Sequence, residues 1–195
     1  MDIVSRKYGI ASLIALILIA FGFNAAGAEY SLGSESDDWW TEYPDQSTGA
    51  GGDVSHPDWV LDALESKPVL IYVHKECDYC VPQTEAVQKI IDEFSGEITI
   101  FELGADGSDV RSGEALQAYD PNGGLDMFVP LTVILTLAPD SEGEVVAVWH
   151  SSDEITGEEW IRNYVEDAIS LYDENYADWD NSSRLSAFAV VVMSS

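Results

Sequence analysis

Positive charge is what this 195-residue chain has least of: eight Lys and Arg stand against 36 Asp and Glu, a formal net charge of −28. No basic patch can form from so few cations, which excludes nucleic acid as a partner and disfavours anionic membrane surfaces. Cysteine is nearly missing as well. The two present, Cys77 and Cys80, confine any thiol chemistry to one pair. There is no spaced carboxylate pair, Ser-His-Asp arrangement or phosphate-cradling loop; the glycines of Gly49 to Gly52 have no strand before them and no Lys after. Hydrophobic residues, in contrast, make up 46% and aromatics 11%, enough for a packed core, and the length suits one domain with tails.

An acid excess this large has two readings. Self-repulsion is felt at ordinary ionic strength, where the Debye length is about 8 Å, and fades near 1 M salt, where it is about 3 Å. The composition therefore fits a saline environment, and it equally fits an acidic extracytoplasmic protein without salt adaptation.

The chain is organised around Lys67 to Gly96. Val69 to Val73 is a run of five apolar or aromatic residues rich in β-formers, which predicts a buried strand. Val87, Ile90, Ile91 and Phe94 recur on one helical face, and Gly96 stands where that helix ends. Between strand and helix lies Cys77-Asp78-Tyr79-Cys80. Unpaired N–H groups and the macrodipole at a helix start favour a thiolate there. Cys77 is then the exposed nucleophile toward a disulfide, and Cys80, expected one turn into the helix, the resolving thiol. The helix end favours the thiolate by roughly 0.3–1 kcal/mol. Glu76 and Asp78 oppose it and Lys75 assists, each by about a kcal/mol or less, so the charges nearly cancel. Two other readings of the pair remain: an inert structural disulfide, and a metal site in which His74, Cys77 and Cys80 find a fourth ligand in Glu76 or Asp78.

These residues resemble the thioredoxin-like superfamily. Val69 to Asp106 matches a typical member without a gap, and Val129-Pro130-Leu131-Thr132-Val133-Ile134-Leu135 looks like the family's cis-proline followed by a strand. The resemblance covers roughly Asp58 to Tyr172. It implies an α/β thioredoxin-like fold, a central mixed β-sheet with helices on both faces, and a proline set against the CxxC. It further implies that the backbone of Val129 pairs with substrate peptide, with Asp78 and Tyr79 bordering the same site. The chain also departs from the pattern. Ile71 stands where many members carry a buried Asp, Glu76 replaces a Trp, Asp78-Tyr79 replaces Gly-Pro, and Leu131 follows the proline where Thr is common.

Residues 1–28 read as a signal peptide or an N-terminal membrane anchor. Arg6 and Lys7 precede the apolar run Ile10 to Phe23, and Ala26-Gly27-Ala28 offers a cleavage site. Left uncleaved, residues 10–28 could anchor the chain, and the basic flank puts the remainder outside the cytoplasm in either case. Residues 29–57, rich in Ser, Gly, Asp and Glu, read as an acidic flexible linker in which Trp39, Trp40 and Tyr43 tuck against the domain or lie near a membrane.

The domain is expected over 58–175. A short helix begins at Asp58, a second strand covers Ile98 to Leu103, and a helix with Val110, Ala115, Leu116 and Tyr119 as its apolar side covers Ser108 to Tyr119. Strands at Leu131 to Leu137 and Val145 to Trp149 form a hairpin. Thr156-Gly157-Glu158-Glu159 reads as a capping box for a last helix, with Trp160, Ile161, Tyr164, Val165, Ala168 and Leu171 inward. Residues 176–195 are a C-terminal tail holding a glycosylation sequon at Asn181 and an apolar run, Leu185 to Met193.

The function expected is thiol–disulfide exchange with exported proteins, without a cofactor and with no metal. A membrane electron-transfer partner is expected too, because no second dithiol exists to recycle the first. The alternative is a non-catalytic thioredoxin-like adaptor with a structural Cys77–Cys80 bond.

Overall fold

A computed structural model describes residues 29–123 and 128–179. Residues 1–28, with the expected signal or anchor, and residues 180–195, with the sequon and the second apolar run, lie outside the described part. Among the described residues no helix is long and apolar enough to cross a membrane.

The elements run α1 (Asp58–Leu64), β1 (Val69–His74), α2 (Val81–Phe94), β2 (Thr99–Gly104), α3 (Val110–Tyr119), β3 (Leu131–Pro139), β4 (Val145–Ser152) and α4 (Glu158–Asn175), followed by a 3-10 turn at Tyr176–Asp178. The class is α/β. Four strands form one mixed sheet in the order β2-β1-β3-β4, with β1 parallel to β2 and antiparallel to β3. Parallel neighbours need a crossover, which α2 supplies; the antiparallel β3–β4 pair needs only the turn at Asp140 to Glu144. Gly143 closes that turn at φ +87°, a conformation other residues avoid.

β1 is covered on both sides, which is why it reads as unbroken apolar sequence rather than as alternation. Leu70 and Tyr72 point to the face held by α2 and α4, among Val87, Ile90, Ile161, Tyr164 and Val165. Val69, Ile71 and Val73 point to the face held by α1 and α3, among Val60, Leu64, Ala115 and Tyr119. Each fully buried aliphatic side chain contributes about 1.5–3 kcal/mol by leaving water, so this strand is the centre of the fold.

Residues 29–57 differ most from expectation. They hold no named helix or strand, as their composition suggests, yet they are packed onto the sheet rather than strung out as a linker. Trp40 exchanges backbone hydrogen bonds of 2.8 and 3.0 Å with Trp149, which covers part of the outer edge of β4. Successive side chains of an extended segment point opposite ways. The Trp39 indole therefore enters the α2/α4 side of the core and the Trp40 indole the α1/α3 side, at 0% and 1% exposure. Each is tied down: Trp39 Nε1 donates to Asp167 Oδ2 at 2.7 Å and Trp40 Nε1 to the Glu35 carbonyl at 2.8 Å. Tyr43 donates its hydroxyl to the Ala118 carbonyl, and His56 meets the Tyr119 hydroxyl at 3.0 Å. The three aromatics do tuck against the domain and pin the segment to it, although most of its other residues stay exposed.

Three local expectations are corrected. The α3 helix starts at Val110, capped by Asp109, whose carboxylate accepts from the Arg111 N–H. Val110 itself is exposed, because the buried face is Ser112, Ala115, Ala118 and Tyr119. The capping box at Thr156 does not form. Gly157 is the N-cap residue of α4, and the Thr156 hydroxyl is engaged by Gln83 from α2. Finally, Cys80 is the N-cap residue of α2 and does not lie one turn inside it. Pro82 explains that shift: with no N–H to give, proline belongs in the first helical turn, which fixes the helix start just before it.

Candidate active site

The sheet delivers the dithiol to the C-terminal end of β1, the side of an open α/β sheet where reactive groups gather. From His74 the chain turns through Lys75 and Glu76. Cys77 N–H donates to the Lys75 carbonyl at 2.9 Å and Cys80 N–H to the Cys77 carbonyl at 3.0 Å, forming a tight turn over Cys77-Asp78-Tyr79-Cys80. The Thr84 N–H then donates to the Cys80 carbonyl at 2.9 Å as the helix begins. The two sulfurs lie 2.8 Å apart as unbonded thiols, with Cys77 exposed and Cys80 at 1% exposure.

This asymmetry splits their acidities. The Cys77 thiol is drawn below its ordinary value, chiefly because Cys80 can donate a hydrogen bond to its thiolate. Desolvation opposes this, the backbone N–H groups of Cys80 and Tyr79 support it, and the Asp78 carboxylate works against it. Burial pushes the Cys80 thiol up, and the hydrogen bond to Cys77 raises it further. The balance that looked level from sequence tips toward a Cys77 thiolate once the neighbouring thiol and the turn's N–H groups are counted.

Val129-Pro130 joins the site through the sheet. β3 pairs Leu131 with Val73, so Pro130 lies level with His74 at the point where the dithiol turn departs. The Val129–Pro130 peptide is cis; Pro130 is buried and Val129 partly so. Asp78 and Tyr79 are exposed in the turn between the sulfurs, Tyr79 at 56%. All six residues singled out from sequence thus fall on two adjoining segments, with the sulfurs in direct contact.

His74 ends β1 with Nε2 at 3.2 Å from Glu102 Oε1 and its ring stacked on Tyr72. Among the described residues no three His, Cys, Asp or Glu side chains converge on a point that could hold a metal. Ile71 is fully buried on the opposite face of β1, and the group beneath Cys80 is instead the Tyr72 phenol. Its hydroxyl bonds to Thr84 Oγ1 at 2.8 Å and reaches the Cys80 carbonyl at 3.4 Å. Burial raises the pKa of this phenol against the opposing hydrogen bond with Thr84, and Cys80, Glu102 and Cys77 raise it further, so it is no base for Cys80.

Beside the charges of Lys75, Glu76 and Asp78 the surroundings also expose apolar groups. Val81, Phe128 and Ile155, with Tyr79, are exposed large hydrophobics on the helix start, the segment before Pro130 and the loop into α4. Only Tyr79 was singled out from the sequence; Phe128 was legible as part of the apolar run Met127-Phe128-Val129. Two cavities, of about 740 and 600 Å³, are lined by residues such as Tyr43, Asp53 and Trp59 or Leu32, His56 and Val146. Neither includes a cysteine. Cys77 itself is exposed. No protein-family model matches the chain, and no curated protein matches it.

Proposed function

We propose that this protein is an extracytoplasmic thiol–disulfide oxidoreductase of thioredoxin-like fold, exchanging disulfides with exported protein clients through Cys77 and Cys80. The observation that carries the reading is the contact of an exposed, acidified thiol with a buried, less acidic one across 2.8 Å. Support for the fold comes from the β-α-β-α-β-β-α order from β1 to α4 and from the register that sets Pro130 level with His74, where the dithiol turn departs.

In the reductive direction the Cys77 thiolate attacks one sulfur of a client disulfide. A Cys77–client bond forms, the client S–S bond breaks, and the departing sulfur leaves as a thiolate that takes a proton from water. Cys80 then loses its proton to water, attacks the Cys77 sulfur and breaks the Cys77–client bond, and the second client sulfur leaves as a thiolate that takes up a proton. The protein ends with a Cys77–Cys80 disulfide and the client with two thiols: two electrons have moved. Run backwards, the same steps oxidise a client dithiol. Cys80's higher pKa keeps it a thiol until the mixed disulfide removes the charge on Cys77. Extracytoplasmic placement rests on residues 1–28, and a membrane dithiol partner would reset the pair after each turnover.

An insulin-reduction or scrambled-client assay, with dithiothreitol as the electron source, tests this. Wild type is expected to accelerate reduction or reshuffling, and Cys77→Ser to fall to the uncatalysed rate. Equal activity in the two proteins would leave the adaptor reading, with its structural disulfide, in possession.

A further inference from the structure

Gln83 interrupts the inward face of α2. Along Ala86, Val87, Ile90 and Phe94 that face is apolar, yet Gln83 is fully buried on it, three residues after Cys80. A buried amide is costly unless satisfied, and this one is satisfied by two different segments, β3 and the loop entering α4. Its Oε1 accepts the N–H groups of Thr156 at 3.0 Å and Gly157 at 3.2 Å. Because a backbone N–H can only donate, these two bonds fix the orientation of the amide. Its Nε2 donates to the hydroxyls of Thr132 at 2.8 Å and Thr156 at 3.0 Å.

Those partners border the dithiol. Thr132 is two residues past Pro130 and pairs across the sheet with Tyr72, whose hydroxyl reaches the Cys80 carbonyl. Thr156 follows the exposed Ile155 in the loop entering α4. One side chain therefore ties the first turn of α2 to the Val129-Pro130 segment and to the Ile155 loop. All three lie at the end of the sheet from which the dithiol turn departs.

We propose that Gln83 is a positioning residue that sets the spacing between the dithiol turn and the Val129-Pro130 segment, so that a disulfide carried on an extended polypeptide can seat there. The inference rests on the redox reading above and adds a client preference to it: peptide-borne disulfides over small free ones. Only the former must fit between the two while a sulfur reaches Cys77.

The test compares kcat/KM for a disulfide-bonded peptide and for bis(2-hydroxyethyl) disulfide, using the full chain recycled by dithiothreitol. Gln83→Met keeps the shape and deletes the amide bonds. It is expected to lower kcat/KM for the peptide roughly tenfold, mainly through KM, and to leave the small disulfide within about twofold. Thr132→Val removes a single bond and serves if the first variant does not fold; a smaller loss, again confined to the peptide, is expected. An equal loss on both substrates in folded protein, or no loss on either, overturns the proposal. Wild type inactive toward both substrates would overturn the redox reading, and this inference with it.

Discussion

Replacing Cys80 with serine is expected to convert the protein from a catalyst into a trap. Cys77 keeps its exposure, and a serine hydroxyl at position 80 can still donate to the thiolate, so attack on a client disulfide survives. The second step does not. In the wild type the resolving sulfur waits 2.8 Å from its target, and such intramolecular positioning is worth factors far above a thousand over an external thiol at ordinary concentration. Turnover should fall on the order of a thousandfold, while a covalent Cys77–client adduct accumulates, visible on a non-reducing gel and in intact mass, and dissolved by dithiothreitol. Cys77→Ser should form no such adduct. If the Cys80→Ser protein turns over like wild type, or if adducts form through position 80, the roles of the two sulfurs have been assigned wrongly.

The second large effect lies far from the sulfurs. Trp39 is fully buried, stacks edge-on to Tyr164 at 5.3 Å and donates to Asp167, itself only 7% exposed. Trp39→Ala should destabilise the fold by about 3–5 kcal/mol. At about 2–4 °C per kcal/mol for a chain of this size, the melting temperature should drop by roughly 6–20 °C. Trp39→Phe separates packing from the hydrogen bond. It keeps a ring but leaves the carboxylate with the Tyr30 N–H at 3.2 Å, a loss of about 1–3 kcal/mol. Burial already raises the Asp167 pKa, and losing the indole donor raises it further. A carboxyl whose folded pKa is raised stabilises the fold below its unfolded value near 3.9, and that contribution is lost as pH rises through the folded value. The Trp39→Phe defect should therefore grow as pH increases through that range, and adding Asp167→Asn should recover part of it at neutral pH. Thermal melts at several pH values read both effects. Wild-type stability in Trp39→Ala would mean that the buried Trp39 indole contributes nothing to the core.

The contrast between these two regions explains what was legible in the sequence. β1 and α2 could be read because burial on both faces of a strand, or along one face of a helix, leaves a local pattern in Val69 to Val73 and in Val87, Ile90 and Phe94. The placement of CxxC between them followed directly. What escaped depended on partners far away in the chain. Residues 29–57 look like a linker because Ser, Gly and Asp dominate their composition, yet two adjacent indoles straddling a sheet edge outweigh that average. Thr156 matches a capping box, but its hydroxyl is taken by an amide 73 residues earlier. Gln83 could have been noticed as a polar residue on an apolar helical face, although nothing local names its partners. The acidity of Cys77 was likewise hidden, since its largest cause is contact with the other sulfur.

Alkylation of the reduced protein with iodoacetamide across pH, with the modified cysteine identified by mass, tests the asymmetry of the pair most directly. The expected result is modification of Cys77 alone, with a midpoint below the free-cysteine value of about 8.5, while Cys80 stays unmodified until well above it. Two sulfurs reacting together, or Cys77 titrating above that value, would contradict an exposed thiolate held in readiness by a buried thiol.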